Sequence, residues 1–345
     1  VQWFCFMELM RGYKITLKQF WIMQKNKINK LFWMIPCLML GVSSVFMASC
    51  DDDDISGSVV DMPATDMWDT TAIGKYIYEN YTLPYNIRVI YRWEDNRQDM
   101  GKYLVPPKEE KVVPFLSMLK RVWMDPYVEI TSTTSQPDFL RTYVPKEILV
   151  TGSKAINSDG SVTLGFAESG RQIQLYDVNN LSIENVDDFV MFFHTMHHEF
   201  AHILQQTNKD YDTEYRVLSK SGYTSSWMNT TNDAAREEGF ITAYAKSSVD
   251  EDFVEMLSIM LVNSPQAWNY LIDRIQNPVA RDILREKERI MTEWMRDVWE
   301  IDMSDFQQLV YTAIEKEMNL PEGVDLIHDG NFIIGEIING EIVLK

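Results

Sequence analysis

Four of the five histidines in this 345-residue chain fall between His194 and His202, in the stretch "HTMHHEFAH". His198-Glu199-Phe200-Ala201-His202 has the form HExxH. On a helix, the i,i+4 spacing puts both imidazoles on one face a turn apart, where they can share one metal ion. Zn²⁺ accepts neutral imidazole, prefers four ligands, and keeps one position for water in a catalytic site. Glu199, next to the first ligand, can reach that water as general base. The flanking Phe189, Phe192, Phe193, Phe200, Ile203 and Leu204 can bury the rest of the helix. Two histidines and a glutamate on one side of such a helix would be costly to bury without partners. His194 lies one turn earlier on the same stripe. Three successive turns span about 12 Å, so His194 and His202 cannot both hold one ion, and a His194–His198 pair would have Thr195 where the base belongs. His194 is expected to pack or to support a ligand, and His197 to point off this face.

The third ligand must come from elsewhere. The metzincin continuation HExxHxxGxxH is excluded, because Gln205 and Asn208 occupy its glycine and final histidine positions. His328 stands alone near the C-terminus, so an acidic ligand is expected. Glu251 and Glu255, in "SSVDEDFVEML", are spaced i,i+4 on a helix whose Phe253, Val254, Met256 and Leu257 look buried. Two glutamates on one face can divide the work, one coordinating the metal and the other fixing the tautomer of a ligating imidazole. Glu251 is assigned the first part and Glu255 the second. Tyr244, seven residues before Glu251, could donate its phenol to the oxyanion formed when water attacks a carbonyl.

These residues need elements to hold them. A helix is expected over 70–81, a strand over 85–93, and a second helix in "PPKEEKVVPFLSMLKRVW", with Pro106 and Pro107 at its mouth. Strand-like runs follow at 146–152, 161–167 and 171–178, with turn signals at Asp159-Gly160 and Ser169-Gly170. From about 185 to 318 the pattern is mostly helical. The close, "NFIIGEIINGEIVLK", reads as a hairpin around Asn339-Gly340. Strands first and helices after indicate an α+β domain, a small sheet followed by a mainly helical C-terminal half.

The N-terminal region has a different character. From Met23, Lys25, Lys27 and Lys30 precede an apolar run, Leu31 to Met47, and "MASC" then places small residues before Cys50. This is the pattern of a secretory signal, and its ending resembles the lipobox of bacterial lipoproteins, in which the cysteine is acylated and the chain is cut before it. Residues 1–22 are expected to be upstream sequence translated from too early a start, 23–49 the signal peptide, and 50–66 an acidic tether opening with Asp51 to Asp54. The globular domain then covers 67–319, with 320–345 as a hairpin-like tail. Of Cys5, Cys37 and Cys50, only Cys50 would survive processing, so no disulfide is expected. Processing would leave 26 Lys/Arg against 50 Asp/Glu. So acidic a body repels phosphates, and nucleic-acid partners are not expected.

The run from "YNIRVIYRW" through "VTLGFAESGRQIQLYDVN" and "HEFAH" to "GFITAYA" and "EDFVE" resembles zinc-binding metallopeptidase lipoproteins found with starch-utilisation-type outer-membrane glycan-uptake systems. These belong to the broader gluzincins. The resemblance implies a zincin core in which an edge strand near the active-site helix could hold an extended peptide. It implies one Zn²⁺ per chain on His198, His202 and Glu251, with Glu199 as base and Tyr244 as proton donor. It also implies a peptide or protein substrate and glycan-uptake proteins as partners; the lipid anchor and the acidic run after Cys50 indicate the cell envelope at the outer membrane, on either the periplasmic or the surface-exposed leaflet. The expected function is hydrolysis of peptide bonds by water on zinc. The alternative is a non-catalytic accessory or binding lipoprotein of a glycan-uptake complex, with a structural or vestigial zinc site.

Overall fold

The computed structural model describes residues 70–94, 101–157, 162–163, 165–168 and 171–345. The expected signal peptide, Cys50 and the acidic tether lie outside the described residues, as do Asp159-Gly160 and Ser169-Gly170.

Thr71 caps the first helix, α1 (Ala72–Ile77), by accepting the Gly74 N–H. The helix continues through a π turn, Tyr78–Thr82, into Leu83–Tyr85, where Pro84 sits in the first turn, a position that tolerates it. Asn86, in the left-handed region at φ 56°, ends it. The helix therefore runs beyond the expected 70–81. The strand expected from 85 shrinks to β1 (Arg88–Ile90). Next come α2 (Glu109–Leu119), a π turn at Lys120–Met124, α3 (Asp125–Thr131) and α4 (Phe139–Tyr143). Strands β2 (Glu147–Val150), β3 (Ala155–Ile156), β4 (Val162–Thr163), β5 (Gly165–Glu168) and β6 (Gln172–Leu175) follow.

The main sheet has the order β1-β2-β6-β5. Its first three strands are parallel, in the register Val89↔Ile148 and Ile148↔Ile173, and β5 closes the edge antiparallel to β6. β3 and β4 form a separate two-stranded ladder. The long helix α5 (Val186–Thr207) packs beneath β5 and against α8 (Val249–Leu261). Between them lie α6 (Asp212–Leu218), α7 (Asn232–Arg236) and two 3₁₀ turns, Trp227–Asn229 and Tyr244–Ser247. This stretch is where the mostly helical pattern expected over 185–318 is interrupted. "SKSGYTSSWMNTTND" is rich in Ser, Thr and Asn, whose side chains bond nearby backbone and compete with the helix. Thr231 does so by capping α7.

Helices α9 (Pro265–Asp273), α10 (Pro278–Trp299) and α11 (Met303–Met318) complete the helical half. The last strands, β7 (Val324–His328), β8 (Ile333–Ile338) and β9 (Glu341–Leu344), form an antiparallel meander. The expected hairpin is its β8–β9 part, turning at Asn339 (φ 52°) and Gly340 (φ 86°). β7 adds a third strand and packs on α9. One apolar core runs through these elements. Beside α5, Phe200 meets Tyr127 edge-on at 4.8 Å between ring centres, and Tyr127 lies 4.6 Å from Phe306. Among the described residues no helix is long and apolar enough to cross a membrane.

Candidate active site

Asn185 opens α5 by accepting the Asp188 N–H, and the helix then runs for 22 residues. Phe189, Phe192, Phe193, Met196 and Phe200 are buried in the core. That burial fixes the helix's rotation and turns His194, His198 and His202 toward α8. Ser248 caps α8 by accepting the Glu251 N–H at 3.2 Å, which brings Glu251 into its first turn. The two caps and the packing of the two helices place the histidines opposite the glutamates.

Glu251 Oε2 lies 3.1 Å from His198 Nε2 and 3.2 Å from His202 Nε2. The remaining ring nitrogens are engaged. His198 Nδ1 pairs with Glu255 Oε1 at 2.7 Å, and His202 Nδ1 with Gln205 Oε1 at 3.1 Å. Two Nε2 atoms and one carboxylate oxygen thus converge, each imidazole oriented through its other nitrogen, which is the donor set and support that zinc requires. A second group of potential ligands, His194, His198 and Glu255, uses the buried side of the same helix pair. There Glu255 has three partners. Its Oε1 also faces His194 Nε2 at 3.1 Å, and its Oε2 accepts from Thr242 Oγ1 at 2.6 Å. Glu251 at the cleft fits a ligand, and Glu255, enclosed by three partners, fits a support.

The electrostatics follow from this crowding. Burial works against charge on His198, but hydrogen bonds to Glu251 and Glu255 outweigh it and raise its pKa to about 10. Burial likewise opposes ionisation of Glu251, yet His198 and His202 hold it down to about 2. Glu255 is also held well below the usual carboxylate range, burial being overcome by His194 and His198. His197 points away, as expected, with Nδ1 3.3 Å from the Tyr127 hydroxyl. Burial lowers its pKa to about 3 and keeps it neutral.

Tyr244 begins its 3₁₀ turn with its ring 5.9 Å from that of His198 and edge-on to Trp227 at 4.9 Å. Burial, then the charges of Glu251 and Glu255, raise its pKa, so the phenol keeps its proton for donation. Glu199, His198 and Tyr244 all line a cleft of about 870 Å³, which also reaches Gly165 of β5 and the turn after β7. His202, Glu251 and Gln205 lie in an adjoining hollow of about 390 Å³ that shares His198, Glu199 and Tyr244. Gly165 brings the edge strand onto the helix: a Cβ there would stand 2.8 Å from Thr195 Cγ2.

Two neighbours escaped the sequence reading. Thr242 donates to Glu255 and accepts the Ala245 N–H at 3.1 Å, joining the Tyr244 turn to the support of His198. His328 is not alone. It is fully buried, with its ring 5.7 Å from that of His194, and neither of its ring nitrogens has a hydrogen-bond partner among the described residues. Thr242 carries a weak signal, two residues before Tyr244 in "GFITAYA". His328 carries none, because a strand 126 residues beyond His202 brings it there.

Against this geometry, comparison with known proteins is direct. The family described as "Putative zinc-binding metallo-peptidase" matches residues 66–304. A crystal structure titled as a putative zinc-binding metallo-peptidase from Bacteroides caccae superposes with a TM-score of 0.62 at 29% identity, covering 74% of this chain and 98% of that one. No curated protein sequence matches. The fold is that of this α+β neighbour, and with most of its length inside the match, the chain belongs to the family described as putative zinc-binding metallo-peptidases.

Proposed function

We propose that the protein is a zinc-dependent peptidase of the gluzincin type. The observation that carries this is the convergence of His198 Nε2, His202 Nε2 and Glu251 Oε2 beside Glu199 and Tyr244. His198, His202 and Glu251 would hold the zinc, which would supply a Lewis acid for a peptide carbonyl and for water. Glu199 takes a proton from the attacking water and passes it to the leaving amine. Tyr244, still protonated, donates a hydrogen bond to the carbonyl oxygen as negative charge gathers on it. Glu255 holds the His198 ring in one tautomer. β5, the outermost strand of the sheet among the described residues, would offer backbone groups to an extended peptide, which would add as a further strand.

The proposal includes the N-terminal region. Cys50 carries lipid and tethers the domain to the cell envelope at the outer membrane, beside glycan-uptake proteins. The lipobox-like "MASC" and the acidic run that follows support this reading. Labelling with a radioactive fatty acid tests it: label lost in Cys50→Ser supports the anchor, and label retained refutes it.

The catalytic reading is tested by incubating zinc-loaded protein with a mixed peptide library beside Glu199→Gln. Cleavage by the wild type, reduced by at least about a hundredfold in Glu199→Gln at equal zinc content, is the expected result. Zinc without cleavage by the wild type would instead favour an accessory binding role.

A further inference from the structure

The cleft beside Glu199 and Tyr244 extends to the β7–β8 turn, Asp329 to Phe332, and to Trp227 and Met228. That turn is firmly held. The Asp329 carbonyl accepts from Asn232 Nδ2 at 3.0 Å and from buried Arg236 Nη2 at 2.5 Å. Its carboxylate accepts the N–H groups of Asn331 and Phe332, and Asp187 in α5 accepts that of Ile333 at 2.7 Å. Gly330, at φ 106°, presses so closely on Thr242 that a Cβ would lie 2.5 Å from its Cγ2.

This fixed turn nevertheless leaves Phe332 63% exposed, and Met228 is 68% exposed in the same cleft. Two large apolar side chains, bare to water beside the candidate reaction centre, add little to the stability of the fold. They are what a pocket needs to cover a ligand's apolar group. The anchored backbone of Phe332 reduces the ordering cost of binding, and the flexible thioether of Met228 can adapt to the group's shape. Charge narrows the choice. The acidic groups lining the cleft are Glu199, Asp233, Glu255 and Asp329, and among the described residues no Lys or Arg lines it. A carboxylate side chain entering this space would find no lysine or arginine among these lining residues to pair with.

We infer that Phe332 and Met228, on the wall of the cleft, select a large apolar side chain, such as Phe or Leu, at a substrate residue flanking the scissile bond, and disfavour Asp and Glu there. The inference rests on the peptidase reading and adds the substrate class.

The test is calorimetric binding of capped hexapeptides to zinc-loaded Glu199→Gln protein, which keeps the peptides intact. Phe, Leu, Ala or Glu is placed in turn at each central position. At one position the Phe and Leu peptides are expected to bind about tenfold or more tightly than the Ala and Glu peptides. Adding Phe332→Ala should cut that preference to about threefold or less, and Met228→Ser should reduce it in part, with zinc content unchanged. No binding of any peptide, a Glu peptide bound as tightly as Phe at every position, or a preference unaltered by both substitutions would overturn the inference. Wild-type cleavage, followed in parallel, separates the two readings. Apolar-selective binding without cleavage overturns the peptidase and leaves the pocket standing. Cleavage with no apolar preference overturns the pocket alone.

Discussion

In the proposed zinc site, His198 is where proton and metal would compete. Its neighbours raise its pKa to about 10, whereas zinc binds only the neutral ring. Below that value, each fall of one pH unit should therefore weaken zinc affinity about tenfold through this group. Competition with a chelator between about pH 6 and pH 9 checks the slope, and a pH-independent affinity would contradict it. Thr242 gives a second expectation. Thr242→Val keeps the shape but frees Glu255 Oε2 and the Ala245 N–H. Zinc affinity should fall about tenfold, and the melting temperature should fall too, because two buried groups lose their partner. An unaltered affinity would show that Glu255 needs no such hold. At this scale the sequence was most readable where chemistry is local. His198, Glu199 and His202 are fixed by spacing within one helix, and Glu251 and Glu255 by spacing within another. Thr242 and His328 act only through contacts between distant segments, which no local spacing encodes.

Helix α8 must hold its register against α5 to within the reach of a hydrogen bond, and a buried pair helps to pin it. Lys287 Nζ on α10 meets Asp252 Oδ2 at 2.6 Å, with both side chains fully buried. The ammonium also donates to the Gly239 carbonyl and lies 4.3 Å from the centre of the Phe240 ring. Burial dominates both groups, raising the pKa of Asp252 and lowering that of Lys287, so neither is held strongly in its charged form. Lys287→Met should destabilise the protein by about 3–5 kcal/mol, because Asp252 is left buried without its partner. Adding Asp252→Leu should recover much of that loss. Denaturant titration of the single and double variants decides it, and equal losses in both would contradict the account. The elements themselves were partly legible. Apolar periodicity marked α5 and α8, and Asn339-Gly340 marked the last hairpin. The first strand was overread because Pro84 fits a helical turn as readily as a break, and the break came two residues later, at Asn86.

At the scale of the whole molecule, the sheet supplies an edge, the long helix supplies His198 and His202, α8 supplies Glu251, and the C-terminal meander supplies a wall. The α+β class could be read from the order of strand-like and helical runs. The parallel pairing of β1, β2 and β6 could not, since partners 59 residues apart (Val89 and Ile148) and 25 apart (Ile148 and Ile173) carry no register signal of their own. Nor could the return of β7 and the turn after it to the cleft, which depends on packing against α9 and α7. The central claim is that one zinc sits where His198, His202 and Glu251 converge. Crystals of the zinc-loaded protein, with diffraction recorded on both sides of the zinc absorption edge, test it most directly. The account predicts a single anomalous peak about 2.0–2.2 Å from His198 Nε2, His202 Nε2 and a Glu251 oxygen. A peak between His194 and Glu255, or none in protein that has bound stoichiometric zinc, would contradict it.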